Sequence, residues 1–328
     1  MAHDHEPHQN DGDGHGHGQG HGQGHGQGQG HDHGPGHGHG PGPGPGHDHT
    51  HIDFAEMLPM LEQEAELFSP LYAQVADWLR ERQPEPELIV DAGSGPGVIS
   101  CLLADTFPKA RVVAVDGAEP LLEAARARAA RLGIADRFST LEAELADGLG
   151  DLEYPADLLW ASRSLHHVGD QRAALAGFTE RLAPGGTLAL LEGGLPFRYL
   201  PRDIGIGRPG LQSRTDAVEQ EWFTRMRREL PGAVEETEDW PALLNAVGLR
   251  HAATRTFLLD LPAPLSEEGR AFVATSLGHR RAGLAEDLDA DDLAALDRLL
   301  DADDKASVFQ RPDVFVLAAM TVYVGVKP

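Results

Sequence analysis

Between residues 86 and 194, short apolar runs alternate with longer stretches in which apolar residues recur at helical spacing. The short runs predict strands at residues 88–91, 111–116, 138–141, 158–161 and 187–192. The intervening stretches predict helices, most clearly at residues 120–132. Strands and helices that alternate in this way are typical of a parallel sheet covered by helices on both faces. We therefore predict a doubly wound α/β core.

The segments on either side of this core predict further helices and two closing strands. Ser69-Pro70 reads as an N-cap followed by proline at the first helical position, so two helices are expected between residues 52 and 84. Beyond the core, the pattern predicts helices at residues 216–229, 239–247, 267–281 and 289–300, and strands at residues 250–261 and 314–326. The expected fold is a mostly parallel, seven-stranded, Rossmann-like sheet with N-terminal helices and helical insertions. The predicted divisions are an arm at 1–51, N-terminal helices at 52–84, the core at 85–195, and substrate-side helices, a lid and closing strands at 196–328.

The N-terminal arm differs in composition from the rest of the chain. Apart from glycine and proline, Met1 and Ala2 carry the only apolar side chains among residues 1–50, and 13 of the 18 histidines fall there. Such a segment cannot bury enough apolar surface to offset the entropy lost on ordering. We predict a disordered, histidine-rich arm.

The imidazoles of this arm are ligands that suit nickel, zinc, copper and cobalt. The candidate ligands are His15, His17, His31, His33, His37 and His39. A flexible arm has no fixed geometry, so any nickel or zinc bound there is expected to be non-catalytic. The glutamine, aspartate and proline interruptions favour a natural low-complexity segment over an expression tag.

Charge and hydropathy limit the classes of partner that the chain is expected to bind. The formal net charge is −25, and no lysine or arginine precedes Arg80, so binding to a nucleic acid or to an anionic membrane surface is disfavoured. No run approaches the roughly 20 apolar residues that span a bilayer. The single cysteine, Cys101, and an N-terminus unlike a secretion signal favour the cytoplasm.

The clearest chemical motif follows the first predicted strand. The segment reads Asp91-Ala92-Gly93-Ser94-Gly95-Pro96-Gly97, with glycines at alternate positions before a predicted helix. Glycines let a backbone approach a ligand closely, and a helix N-terminus offers free N–H groups. Dinucleotide-binding loops read G-x-G-x-x-G, which would place the third glycine at Val98. The spacing therefore argues against a nicotinamide-type site.

A carboxylate ends the next predicted strand, at Asp116. In a Rossmann-like sheet, an acid at this position lies beside the first loop and can accept hydrogen bonds from both hydroxyls of a ribose. The alternative is that Asp116 only caps the following helix. The strand that precedes it supports the ribose interpretation.

Together these segments resemble the class I S-adenosylmethionine-dependent methyltransferases. The resemblance extends over residues 54–195 and includes Ala143-Glu144 after the third strand, the strand that ends at Ala161, and the turn Pro184-Gly185-Gly186. It implies an S-adenosylmethionine cofactor whose methionine end is held by Asp91, Gly93, Ser94, Gly95 and Gly97, its ribose by Asp116 and its adenine by Glu144, with the Ala161 backbone facing the reactive region. At the Glu144 segment the family usually has Gly-Asp, and this chain departs from it. The implied reaction transfers a methyl group to an oxygen, nitrogen or carbon atom of a small metabolite.

Residues beyond the fourth strand are candidates for the acceptor side. His166 and His167 could supply a general base, because histidine titrates near neutral pH, or they could serve local packing. Arg163, Arg198 and Arg202 could bind an anionic substrate, or they could pair with nearby acids, as could Arg208 and Arg214. The sequence leaves both alternatives open.

Two other functions compete with methyl transfer. One is a nucleotide-cofactor oxidoreductase on a similar sheet, which the glycine spacing disfavours. The other is a metal-binding protein that uses the arm and carries a non-catalytic, methyltransferase-like domain as a scaffold. Retained nickel or zinc binding without S-adenosylmethionine binding would favour the second.

Overall fold

A computed structural model describes residues 54–147, 149–150 and 152–328. The candidate metal ligands of the arm lie outside the described residues. Among the described residues, the helices are α1 (Phe54–Arg80), α2 (Val98–Thr106), α3 (Glu119–Arg131), α4 (Gln171–Arg181), α5 (Leu211–Glu229), α6 (Trp240–Ala246), α7 (Glu267–Gly283) and α8 (Ala290–Leu300). The strands are β1 (Leu88–Ala92), β2 (Arg111–Asp116), β3 (Phe138–Glu142), β4 (Ala156–Ser162), β5 (Leu182–Arg198), β6 (Arg250–Leu261) and β7 (Val316–Val326).

These strands form one sheet of seven, in the order β3-β2-β1-β4-β5-β7-β6. The first five strands pair in parallel, and β7 lies antiparallel between β5 and β6. The chain thus winds outward from β1 in one direction and then restarts at β4 in the other. Ligands of open α/β sheets bind where the strand order reverses, outside the carboxyl ends of the strands. Here that point lies between β1 and β4, which confirms the predicted doubly wound, mostly parallel sheet.

Both faces of the sheet are buried, because successive strand side chains point to opposite sides. On β4, Leu158 and Trp160 belong to one apolar cluster, whereas Leu159 and Ala161 belong to the other. The first cluster is covered by α1 and α7, through residues such as Phe68 and Phe272. Parallel strands covered on both faces are expected to read as continuous apolar runs, as β1 and β4 do.

The prediction of two N-terminal helices is wrong, because α1 is a single helix of 27 residues that contains Pro59 and Pro70. Ser69 does not cap a second helix: its hydroxyl donates back to the carbonyl oxygen of Ala65 at 3.0 Å, within the same helix. The buried residues Phe68, Leu71, Tyr72, Val75 and Leu79 continue across Pro70 along one apolar face. Packing of this face against the sheet outweighs the helix-breaking tendency of proline.

The fifth strand runs six residues beyond its predicted end at residue 192. Its extension is held by antiparallel pairing with β7, with Leu195 opposite Ala319 and Arg198 opposite Leu317. Pairing between distant segments is not visible in local periodicity, which explains the error. None of the helices among the described residues is long and apolar enough to cross a membrane.

Candidate active site at the carboxyl ends of the central strands

The glycine-rich loop joins β1 to α2 and lies against the end of β2. The backbone N–H groups of Gly93 and Ser94 both donate to the carbonyl oxygen of Val115, at 2.8 and 2.9 Å. Gly93, Gly95 and Gly97 have φ angles of +76°, +53° and +73°. Side chains rarely adopt this left-handed region, so the turn requires its glycines.

The three glycines are needed for different reasons. A Cβ on Gly93 would lie 2.6 Å from Cβ of Ser164, and a Cβ on Gly97 would lie 2.5 Å from Cβ of Ala125. A Cβ on Gly95 would meet no atom within 4 Å. Gly93 and Gly97 therefore allow close packing within the protein. Gly95 leaves an open surface at the loop, which suits the close approach of a bound molecule.

The carboxylate of Asp116 faces this loop. It accepts hydrogen bonds from the backbone N–H groups of Gly95, at 2.9 Å, and Ala118, at 3.0 Å. Burial raises the pKa of Asp116, and the hydrogen bonds from Gly95, Ala118 and Gly117 act in the opposite direction. Oδ1 of Asp116 thus contacts the start of α3, as the helix-capping alternative expects. Oδ2, in contrast, lies at the glycine loop.

Asp91 lies beneath the loop and is only 2% exposed. Its carboxylate accepts a hydrogen bond of 2.5 Å from the hydroxyl of Ser100 on α2. Burial raises the pKa of Asp91 to about 7. The hydrogen bond from Ser100 lowers this pKa, and the negative charge of Asp116 raises it. Asp91 therefore supports the loop from inside and fastens it to α2.

Glu144 and Ala161 flank the loop on its two sides. A Cβ on Gly117 would lie 2.6 Å from Oε1 of Glu144, so this carboxylate packs against the residue that follows Asp116. Ala161 is fully buried at the end of β4, opposite Ala92 on β1. The structure thus brings all the predicted cofactor residues to one edge of the sheet.

A second group of side chains surrounds the turn after β4, and its centre is Glu192. This buried carboxylate of β5 accepts hydrogen bonds from the backbone N–H groups of Ser164 and Leu165, both at 2.9 Å. Its other oxygen lies 3.1 Å from Nδ1 of His166. Sequence reasoning misses Glu192, although an acid at the end of an otherwise apolar predicted strand is a signal for it.

The same turn is held from the opposite side by Arg227 of α5. Its guanidinium donates to the carbonyl oxygens of His166, at 2.9 Å, and Val168, at 2.5 Å. The His167 ring lies at 49° to the His166 ring, with 4.1 Å between centroids, but it is exposed, and among the described residues no hydrogen bond joins it to Glu192. His166 is therefore the better-positioned of the two candidate bases.

Ser164 connects the two groups. Its side chain is the nearest neighbour of the Gly93 backbone, and its hydroxyl donates to the carbonyl oxygen of Ala92 at 3.3 Å. Its N–H is held by Glu192. The glycine loop and the His166 turn are thus directly packed together.

A cavity of about 700 Å³ opens beside His166 and Glu192. Its wall comes from the ends of β4 and β5 and from α1, α5 and α7. Six aromatic residues line it: Phe197, Tyr199, Trp222, Phe223, Trp240 and Phe272. Its charged lining residues are Glu64, Arg163, Glu192, Glu219, Glu238 and Arg280.

Arg163 lies in this cavity with a φ of +50°, an unusual conformation for a residue with a side chain. Its guanidinium pairs with Glu64 of α1 and lies 5.6 Å above the ring of Phe197. The charge of Glu64 is the main cause of a raised pKa for Arg163. The ion pair joins the N-terminal helix to the turn after β4.

The other candidate arginines are not in the cavity wall that the described residues form. Arg198 pairs with Asp216 at 2.5 Å, and Arg214 grips Asp292 through two hydrogen bonds of 2.7 Å. Arg208 contacts Asp292 as well, and Arg202 is exposed. Arg198, Arg208 and Arg214 each form the ion pairs that the acid-pairing alternative expects. The structure gives no support to a substrate role for Arg198 or Arg202.

The described residues contain no group of three or more histidine, cysteine, aspartate or glutamate side chains arranged to hold a metal ion. The residues at the glycine loop, in contrast, fit S-adenosylmethionine. Gly95 offers an open cradle, and Asp116 and Glu144 place two carboxylates along the same edge.

Comparisons with known proteins agree with this arrangement. A family model described as a methyltransferase domain matches residues 89–186. The trans-aconitate 2-methyltransferase of Streptomyces coelicolor is 33% identical over 159 residues, 48% of this chain and 50% of that protein. The enzyme of the same name from Acidovorax sp. JS42 is 26% identical over 235 residues, 61% of this chain and 84% of that protein.

An O-methyltransferase family protein from Burkholderia thailandensis aligns with a TM-score of 0.45 at 17% identity, over 58% of this chain and 53% of that one. The chain spans only half the length of the Streptomyces relative that it matches. The oxidoreductase and metal-binding alternatives gain no support from these matches. Residues 89–186 thus match a methyltransferase domain, and the seven-stranded sheet has the strand order of a Rossmann-like class I methyltransferase fold.

Proposed function

We propose that this protein transfers a methyl group from S-adenosylmethionine to a small molecule bound in the aromatic cavity. One observation supports this most strongly: Ser164 packs on the glycine loop at one end and is held by Glu192, the partner of His166, at the other. A donor site and an acceptor site are thereby adjacent, as a direct transfer between two bound molecules requires.

On the donor side, S-adenosylmethionine supplies a methyl group on an activated sulfonium. The open face at Gly95 would receive the methionine end, Asp116 would accept hydrogen bonds from the ribose, and Glu144 would lie near the adenine. Asp91 is buried beneath the loop, so we assign it to supporting that loop rather than to contacting the cofactor.

On the acceptor side, His166 would remove a proton from a hydroxyl or amine of the acceptor. An ionised carboxylate can only accept hydrogen bonds, so Glu192 fixes the tautomer in which Nδ1 carries the proton. Nε2 then keeps its lone pair and can take the acceptor's proton. This arrangement favours oxygen or nitrogen over carbon as the methylated atom.

The cavity has the volume of a small-molecule site, which is typically about 300–1,000 Å³. The two relatives described above are named trans-aconitate 2-methyltransferases, so trans-aconitate, a tricarboxylate, is a second candidate acceptor. Both arginines of the cavity are already ion-paired, Arg163 with Glu64 and Arg280 with Asp216 and Glu219. The described lining therefore offers no unpaired guanidinium for a tricarboxylate, and we favour a different acceptor.

Further proposals concern the whole chain. We propose that it acts in the cytoplasm, which the single cysteine, Cys101, favours. We also propose that it has no nucleic-acid partners, on the basis of its formal net charge of −25. We also propose that the arm histidines bind nickel or zinc weakly and play no part in catalysis.

The test is methyl transfer from S-adenosylmethionine labelled in its methyl group to the small-molecule fraction of a cell extract. We expect label in a small molecule, and we expect His166→Asn to reduce its formation about 100-fold, since a general base contributes about 10²–10⁴-fold. Label found only in protein or nucleic acid would contradict a small-molecule acceptor. Absence of any transfer, with the cofactor bound, would contradict the proposed activity.

A further inference from the structure

We propose that the acceptor is a non-anionic molecule with an aromatic body, and that the cavity selects against carboxylated molecules. This inference rests on the proposed function, because it names the substrate class of the same cavity. It is carried by three features of the lining: its surplus of carboxylates, the prior pairing of its arginines, and its aromatic walls.

The surplus of acids follows from the residues that line the cavity. Four glutamates face two arginines, so the lining carries more negative than positive charge when the histidines are neutral. Asp216 lies behind Arg280 with a side chain only 9% exposed and pairs with both Arg280 and Arg198, so it adds no unpaired charge to the wall. An anion entering this space is repelled, and the repulsion is stronger where the site is shielded from water.

The two arginines cannot reverse this balance, because each is already neutralised. Arg280, whose side chain is 11% exposed, donates to Asp216 and to Glu219 at 2.7 Å each. Arg163 pairs with Glu64 and faces the ring of Phe197. A carboxylated acceptor would have to share a guanidinium with the carboxylate already paired to it or displace that carboxylate, and either outcome carries a cost from charge repulsion or from an unpaired acid in the wall.

The surroundings of Glu219, one of these four glutamates, agree with an uncharged occupant. Burial raises its pKa, and the charge of Asp216 acts in the same direction, whereas Arg280 opposes both. The wall of the cavity around Glu219 is therefore already unfavourable for negative charge. A second carboxylate nearby would increase that penalty.

Aromatic side chains supply part of the uncharged surface. Phe197, Tyr199 and Phe272 form one packed group, with ring centroids 6.5 Å and 6.0 Å apart for successive pairs. Phe223 lies 5.8 Å from the His166 ring, on the side of the candidate base. Flat rings stack on such walls, and the faces of tryptophan, tyrosine and phenylalanine also attract cations.

The experiment compares three probes that share a naphthalene ring and differ in charge: 2-naphthol, 2-naphthoate and 2-naphthylmethylammonium. Each is titrated by calorimetry at pH 7 into the full chain, with and without saturating S-adenosylhomocysteine. We expect 2-naphthoate to bind at least about tenfold more weakly than the other two probes.

A variant tests the cause. Glu64→Gln removes the charge that neutralises Arg163, so it should strengthen 2-naphthoate binding about tenfold relative to 2-naphthol binding. Glu123→Gln makes the same chemical change at an exposed residue of α3 and should alter neither affinity. Glu219→Gln provides a second charge-removing variant if Glu64→Gln folds poorly.

Equal or tighter binding of 2-naphthoate by the unaltered chain would overturn the proposal, as would failure of all three probes to bind. The outcome is separable from that of the proposed function. If S-adenosylhomocysteine does not bind but the charge order holds without it, the methyltransferase assignment fails and the selectivity of the cavity stands.

Discussion

One carboxylate oxygen of Glu192 lies 3.1 Å from Nδ1 of His166, while the other accepts the two backbone N–H groups that begin the same turn. A single side chain of β5 thus orients both the imidazole and the backbone that carries it. This is possible because β4 and β5 are parallel neighbours, so that their carboxyl ends lie side by side. The arrangement has the geometry of a base and the residue that positions it.

This relationship predicts non-additive effects on catalysis. Glu192→Gln keeps an oxygen for the turn but loses the charge that faces His166, so kcat should fall about tenfold with little change in the KM for S-adenosylmethionine. His166→Asn should lower kcat about 100-fold. The double variant should be no slower than His166→Asn alone, and a multiplicative loss would show that Glu192 acts independently of His166.

The glycine loop predicts a contrast between two similar substitutions. Gly95→Ala introduces a side chain at φ +53° in open space, so it should cost about 1 kcal/mol of unfolding free energy and weaken S-adenosylhomocysteine binding. Gly97→Ala also forces a Cβ within 2.5 Å of Ala125 and should cost about 3 kcal/mol. Urea unfolding and calorimetry separate the two effects. Unimpaired binding in Gly95→Ala would contradict the assigned cradle.

The buried Asp91 predicts a pH dependence of stability. Its pKa of about 7 lies above the ordinary value of 3.8, so between these values the folded state holds a proton that the unfolded state has lost. Its contribution to the free energy of unfolding therefore falls as pH rises from 4 to 7. Asp91→Asn does not titrate and keeps an acceptor for Ser100, so it should be more stable than the unaltered chain at pH 8 and similar to it near pH 4. Equal stability at both pH values would contradict this prediction.

The ion pairs of Asp292 and Asp289 at the start of α8 predict a second contrast in stability. Asp292 is 2% exposed and is gripped by two hydrogen bonds from Arg214, so Asp292→Asn should cost about 2 kcal/mol. Asp289 is the exposed partner of Arg208, and Asp289→Asn should cost less than about 1 kcal/mol. Urea unfolding measures both. Equal losses would mean that burial does not determine the strength of these pairs.

The sequence predicts much of the fold because the strands are buried on both faces. The predicted span of the second strand is the observed one, since its apolar run marks it clearly. The predicted span of the sixth strand is also the observed one, although this antiparallel edge strand is mostly exposed. The single helix α1 and the extension of β5 are not predicted. Both depend on packing with distant segments, which local patterns around Pro70 and residue 192 do not contain.

The candidate site likewise has features that local sequence predicts and features that depend on contacts between distant segments. The residues predicted for the cofactor follow motifs of recognisable spacing, so the sequence alone brings Gly95, Asp116 and Glu144 to notice, and the structure places them at one edge of the sheet. The choice between His166 and His167, and between substrate binding and ion pairing for Arg198, depends on which side chains meet across the fold. The contacts of Glu192 with His166 and of Asp216 with Arg198 join residues that are far apart along the chain, so local patterns do not contain them.

The most direct test of the account is a calorimetric titration of S-adenosylhomocysteine into the full chain, into Asp116→Asn and into the exposed control Asp105→Asn. We predict binding by the unaltered chain and by Asp105→Asn, and at least about tenfold weaker binding by Asp116→Asn, a loss of about 1.4 kcal/mol. Binding of NAD in place of S-adenosylhomocysteine, or equal affinity in all three proteins, would contradict the donor site assigned at the glycine loop.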